Sequence, residues 1–227
     1  MSPPSRQLPL PLPVENAFEA EEFVVANSNR DAVAWINAWP DWPGQGLVVH
    51  GPAASGKSHL ASIWTKRVNA SVLDVETLST ARCLEVTEPV LVDAADSCRN
   101  EDALFHLLNH VRAQGHSVLL TGRVPPASWP VRLPDLRSRL LALPSVAMEP
   151  PDDLLLTQLA AKLFADRQIT VSDEVIGYML KRLERSCAAF AAAVEQLDRA
   201  ALAARRPVTV PLARRVLELD QHPNETD

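Results

Sequence analysis

The chain has 227 residues, enough for one sizeable domain and a smaller companion, and 47% of them are hydrophobic, enough for a real core. A net charge of −6 with a pI near 5.5 argues against a large basic face for nucleic acid. No apolar run approaches the roughly 20 residues that span a bilayer, and prolines interrupt the N-terminal stretch where a signal peptide would need continuity, so the expected location is the cytoplasm.

Residues 1–20 form a proline-dense leader that cannot make a regular helix or a central strand. Within it, Gln7-Leu8-Pro9-Leu10-Pro11-Leu12 sets leucines at alternate positions of an extended segment, a one-sided apolar edge. The intervening prolines pre-set that extension and lower the cost of ordering on docking. Composition alone also fits a leader with incidental leucines. Phe23-Val24-Val25 follows as a short apolar run. Asn27, Ser28 or Asn29 is placed to cap a helix through Trp35, Ile36 and Trp39, which Pro40 ends.

Leu47-Val48-Val49-His50 reads as a buried strand, and 59–68 as a helix. Between them lies Gly51-Pro52-Ala53-Ala54-Ser55-Gly56-Lys57-Ser58, with the spacing glycine, four residues, glycine-lysine-serine. Strand, loop and helix start make a phosphate cradle, in which backbone N–H groups from Gly51 through Ser55, Gly56, Lys57, Ser58 and His59 and the helix N-terminus favour an anion. Lys57 would reach the β- and γ-phosphates, and the Ser58 hydroxyl would ligate Mg²⁺. The agreement of all three elements favours nucleotide binding over a turn that happens to be rich in small residues.

Residues 71–75, 89–93 and 117–121 read as further strands, and 103–111 carries helical periodicity. The continuous apolar run Val90-Leu91-Val92 suits a parallel strand covered on both faces. Strands alternating with helices imply a doubly wound α/β layer. Asp93 ends the third strand, where a carboxylate lies beside the phosphate loop and would hold Mg²⁺ directly or through water. Ala94 follows, where many ATPases of this class carry a second acid that polarises the attacking water. Asp96 is nearby but displaced, so intrinsic hydrolysis is expected to be slow or completed by a partner. Thr121 ends the fourth strand, either hydrogen-bonding the γ-phosphate or attacking water, or serving as a β-branched packing residue. Arg137 and Arg139 lie two apart on a short helical stretch and do not face the same way. One that meets a neighbour's γ-phosphate would be an arginine finger, whereas a solvated face is the plainer reading.

Beyond Pro150 the pattern becomes wholly helical. Helices are expected over 152–165, after a cap at Ser172 with Asp173 and Glu174 in the first turn, over the Ala-rich 188–204, and from Pro211 onward. The implied organisation is a leader (1–20), an α/β domain (21–150), a helical domain (151–220) and a polar tail (221–227). Arg185, just before the Ala-rich helix, is a candidate to return to the nucleotide. Cys83, Cys98 and Cys187 have neither metal-ligand nor redox spacing.

These residues together resemble the DnaA/Hda family of AAA+ ATPases, the bacterial replication initiator and its regulators. The resemblance runs from Gln7 to about Leu219. It is carried by the Gln7–Leu12 motif, Phe23-Val24-Val25 followed by Asn29, the phosphate loop, Val90-Leu91-Val92-Asp93, Leu136-Arg137-Ser138-Arg139-Leu140 and Gln196-Leu197-Asp198-Arg199-Ala200. It implies an AAA+ P-loop core with a parallel sheet followed by a small helical lid, holding ADP or ATP with Mg²⁺, most simply ADP at rest. It also implies that Gln7, Leu8, Leu10 and Leu12 dock on the β sliding clamp. Arg139 then occupies the box whose arginine promotes hydrolysis of initiator-bound ATP. The chain looks like a regulator rather than an initiator, because only a polar tail follows the expected lid. The expected partners are therefore the clamp and DnaA, with no sequence-specific DNA and no membrane, and with homo-oligomers left open. The function implied is negative regulation of replication initiation. The alternatives are an autonomous DnaA-like or helicase-loader-like ATPase, and a non-catalytic clamp adaptor.

Three departures from the family pattern stand out. Ala94 replaces the second acid. Ala188 takes the place of the lid arginine, with Arg185 three residues earlier on about the same helix face as a possible substitute. Gly122 and Arg123 replace a more acidic pattern after Thr121.

Overall fold

The computed structural model describes residues 23–204 and 206–219; the leader with Gln7, Leu8, Leu10 and Leu12 and the polar tail lie outside them. Five parallel strands, β1 (Gly46–His50), β2 (Ser71–Leu73), β3 (Val90–Val92), β4 (Val118–Gly122) and β5 (Ser145–Ala147), form one sheet in the order β2-β3-β4-β1-β5. All five carboxyl ends therefore share one edge, which is where ligands of open α/β sheets sit.

Side-chain alternation builds a core on each face of this sheet. Leu47, Val49, Leu91 and Leu119 point to one side and meet α1 (Arg30–Asn37) and α2 (Lys57–Val68), including Ile36, Leu60 and Trp64. Val48, Val90, Val92, Val118 and Leu120 point to the other side. There they meet α3 (Thr80–Leu84), α4 (Glu101–Ala113) and α5 (Pro134–Ala142), including Leu104, Leu107, Leu136 and Leu140. Burial on both faces explains why these strands read as unbroken apolar runs.

Four helices follow: α6 (Asp153–Asp166), α7 (Asp173–Arg182), α8 (Cys187–Ala204) and α9 (Val210–Leu219). They enclose a separate core around Phe164, Phe190, Met179 and Leu197. The fold is thus an α/β core with a five-stranded parallel sheet and a small all-helical domain after it. Among the described residues no helix is long and apolar enough to cross a membrane.

Helix starts differ in how they are held. Asp152 caps α6, its Oδ1 accepting from the Leu155 N–H at 2.7 Å, and Asn100 caps α4 by accepting from the Ala103 N–H at 3.1 Å. Asn29 precedes α1 but turns backward, accepting from the Ala26 N–H at 2.9 Å and donating Nδ2 to the Val24 carbonyl at 2.9 Å. It therefore fastens the incoming strand-like segment rather than the helix. Ser172 precedes α7 and makes no side-chain cap, contrary to expectation. Replacing the fully buried Leu120 by Ala is expected to cost about 2–5 kcal/mol, read as a shift in the urea unfolding midpoint at an unchanged slope.

Candidate functional site

β1 ends at His50, and the chain enters a loop whose backbone takes left-handed values at Ala54 (φ 61°) and Gly56 (φ 95°) before α2 begins at Lys57. Gly51 is needed for its lack of a side chain. Its φ is +154°, and a Cβ there would collide with the carbonyl oxygen of Met148. The Gly51 N–H donates to the Gly122 carbonyl at 3.2 Å, which ties the loop to the end of β4. The loop then delivers the N-terminus of a 12-residue helix, with its unpaired N–H groups, to the carboxyl edge of the sheet.

Lys57 lies in this loop's mouth. Its Nζ donates to the Pro52 carbonyl at 2.6 Å and to the buried Ser55 hydroxyl at 3.2 Å. Burial holds its ammonium below the ordinary lysine value. Asp93 and Asp96 oppose that shift, and the positive charge of Arg123 adds to it. His50 is likewise pushed down, first by burial and then by Lys57, against Glu149. Ser58 and His59 are exposed at the helix start, where His59 stacks on Phe23 with ring centroids 5.5 Å apart. Gly51, Ser55, Gly56, Lys57, Ser58 and His59 thus share one loop, and Asp93 faces it from the end of β3.

Asp93 is held by its neighbour strand. The Thr121 hydroxyl donates to Asp93 Oδ1 and accepts the Ala94 N–H at 2.8 Å. Thr121 is itself only 1% exposed. In the structure the hydroxyl orients the carboxylate and the turn after β3. Ala94 stands at φ 53°, a left-handed position that a non-glycine residue adopts at a cost. Asp96 is also engaged, its Oδ2 accepting the Arg123 N–H at 2.7 Å. Among the described residues no group of three or more acidic, histidine or cysteine side chains forms a self-contained metal cage. A hydroxyl at Ser58 and an oriented carboxylate at Asp93 match the way Mg²⁺ is held, through one or two protein oxygens together with phosphates and water.

The lid closes the other side. A cleft of about 370 Å³ runs between Gly56, Lys57, Ser58 and His59 on one wall and Leu159, Leu163, Cys187, Ala188 and Ala191 on the other. The lid wall carries no charge. Arg185 is not part of it. Its guanidinium pairs with Asp153 at the start of α6, N–O 3.2 Å, in an exposed ion pair. It is Ala188 that faces the loop from this wall. Sequence spacing put Arg185 on the right helix face, but the residue precedes α8, and the Asp153 partner is 32 residues away.

Arg139 sits apart from this site on α5. It is half-buried, its guanidinium over the Phe105 ring at 5.4 Å, while the exposed Arg137 donates to the Val131 carbonyl at 3.0 Å. The two arginines thus diverge, as their spacing requires. Sequence reading missed how α5 is anchored. The Glu101 carboxylate accepts the Leu133 N–H at 2.6 Å and the Arg132 N–H at 3.0 Å, which holds its carboxyl below the usual range.

Comparison with known proteins places this geometry. Residues 155–217 match the family described as "Hda, lid domain". An uncharacterized protein of Haemophilus influenzae is 29% identical over 241 aligned positions, spanning 95% of this chain and 100% of its own. Domain III of the Thermotoga maritima replication initiation protein DnaA superposes with a TM-score of 0.74 at 17% identity, covering 89% of this chain and 96% of that one. DnaA from Aquifex aeolicus in its AMPPCP-bound form superposes with a TM-score of 0.64 at 16% identity, over 76% of this chain and 62% of that one.

The clasp between β3 and β4 can be tested directly. Thr121→Val keeps the shape but leaves the Ala94 N–H unpaired, at a cost of about 1–3 kcal/mol in chemical unfolding, and Thr121→Ser recovers most of it.

Proposed function

Taking the chain as an Hda/DnaA-related protein, we propose that it regulates bacterial replication initiation by carrying a magnesium adenine nucleotide and acting in trans on the initiator. The observation that carries this reading is the loop from Gly51 to Ser58, which bends its backbone around a lysine at the head of α2 and opens toward a helical lid. The AMPPCP bound to a DnaA of the same fold supports an adenine nucleotide as the ligand.

In this reading the loop N–H groups, the N-terminus of α2 and Lys57 hold the phosphates. Ser58 and Asp93 hold Mg²⁺, and Thr121 keeps Asp93 aimed. The bound ion would supply charge neutralisation between phosphate oxygens. No carboxylate follows Asp93: Ala94 takes that place, and Asp96 is occupied by the Arg123 N–H. A water near the terminal phosphate thus lacks an oriented base, and the chain's own turnover is slow. That disfavours the autonomous-ATPase alternative.

Arg139 is the residue we assign to the initiator's ATP. It leaves the Phe105 ring, a contact of modest energy at a partly exposed site, to enter the partner's site and stabilise charge on the transferring phosphoryl group. The Glu101 clasp fixes the base of α5, so that only the side chain needs to move. Gln7, Leu8, Leu10 and Leu12 tether the chain to the β clamp on DNA, where the initiator is met.

The experiment is hydrolysis of initiator-bound ATP with DNA-loaded clamp and this protein. The wild type is expected to accelerate it, Arg139→Ala to lose about 10³-fold or more of the acceleration while still binding clamp, and Gln7→Ala to need more protein for the same rate. Full stimulation by Arg139→Ala would leave the adaptor reading in its place.

A further inference from the structure

A second cavity opens at the far end of the sheet from the phosphate loop. It lies between α4 and α5, where Gly44 and Gln45 lead into β1 and Val118 begins β4 opposite Gly46. The five residues of β1 separate it from Gly51, roughly 15 Å along the strand. Its volume is about 180 Å³, below the roughly 300 Å³ at which pockets begin to enclose a small molecule. It therefore suits one projecting side chain rather than a cofactor. Leu108, Val111 and Leu143 make its walls apolar.

The polar groups of this groove are cationic or unpaired. Arg112, in the last turn of α4, and Arg139, on α5, are the charged residues that line it, and no acid joins them. The chain as a whole carries a net charge of −6, so the groove runs against the balance of the molecule. Arg112 is exposed, with no ion pair or hydrogen bond among the described residues, and Arg139 meets only the Phe105 ring. Gln45 stands at φ 60° after Gly44 at φ 67°, and its Oε1 is buried with no hydrogen-bond donor. A buried acceptor left unpaired costs free energy, which a ligand bringing an N–H recovers. At the lip, Ser138 is exposed, and Leu141, three residues on and thus its helix neighbour, is 53% exposed.

We propose that the α4–α5 groove docks an acidic segment, bearing an apolar side chain, of the protein on which Arg139 acts. The inference rests on the trans-acting role given to Arg139 above and deepens it. A carboxylate of that segment forks onto the Arg112 guanidinium. A neighbouring apolar side chain enters the cavity against Leu108, Val111 and Leu143, and meets the exposed Leu141 at the lip. A backbone N–H of the same stretch donates to Gln45 Oε1. One stretch of acidic polypeptide satisfies all of these groups together, whereas an inorganic anion brings neither the apolar side chain nor the N–H. Arg139 lines the groove from α5 and Arg112 from α4, so a segment held by Arg112 sets the partner's distance from Arg139. Arg112 is thus a positioning residue, and opposite charge across the groove also steers the encounter.

The test uses the full chain and the purified initiator loaded with ATP. Binding is titrated for the wild type, R112A, R112K, R112E and Q45L, and stimulated hydrolysis is followed in parallel. R112E is expected to weaken binding by about tenfold and R112A by less, with R112K recovering part of the loss. Raising the concentration of R112E should restore the hydrolysis rate, which no concentration of R139A does. Q45L should weaken binding by about threefold without lowering the melting temperature, because the acceptor it removes is unpaired in the free chain. A photo-crosslinking side chain at the exposed Ser138 should capture an acidic segment of the initiator. Wild-type affinity in R112E, capture of a segment without acids, or a defect of R112E in self-association instead overturns the proposal while leaving the role of Arg139 intact. If the wild type neither binds nor stimulates the initiator, the function proposed above falls, and this inference with it.

Discussion

The close passage of Gly51 beneath the Met148 carbonyl is the constraint on which the rest of the molecule depends. Only a residue without a Cβ can leave β1 there with φ at +154°. That exit bends the loop across the carboxyl edge of the sheet, bonds it to Gly122 at the end of β4 and delivers α2 with its N-terminus facing outward. Packing against both faces of a parallel sheet leaves little slack for the turn to relax, because Leu47 and Val49 are locked on one side and Val48 on the other. The fold's stability and its capacity to hold an anion thus share one piece of backbone.

Around that turn the charges are distributed by hydrogen bonds rather than by simple proximity. Thr121 aims Asp93, and Asp96 captures the Arg123 backbone. Glu101, at the start of α4, holds the segment that launches α5 and its two arginines. The lid contributes shape and apolar surface but no charge to the cleft. Arg139, the residue proposed to act on a partner, lies on a helix away from this chain's phosphate loop, and Ala94 follows Asp93 where a second acid would stand.

The sequence carried the sheet and the loop plainly, and its silences have physical causes. Strands β1, β3 and β4 are buried on both faces and show as apolar runs of Leu and Val. β5 was invisible because only Val146 of its three residues is buried, so neither alternation nor a run can appear. α3 has five residues, too few for a helical period. The phosphate loop was legible because its chemistry is local, each donor lying within eight residues of the next. The partners of Thr121, Asn29 and Arg185, namely Asp93, Val24 and Asp153, are fixed by tertiary folding and had no local signal, so that Asn29 read as a helix cap where it fastens the preceding segment.

Calorimetric titration of the purified chain with AMPPCP and with ADP in the presence of Mg²⁺ tests the central claim most directly. The account predicts one nucleotide bound per chain, with the heat abolished by Lys57→Ala at unchanged melting temperature. Absence of heat for both nucleotides, or full binding by the Lys57→Ala protein, would contradict it.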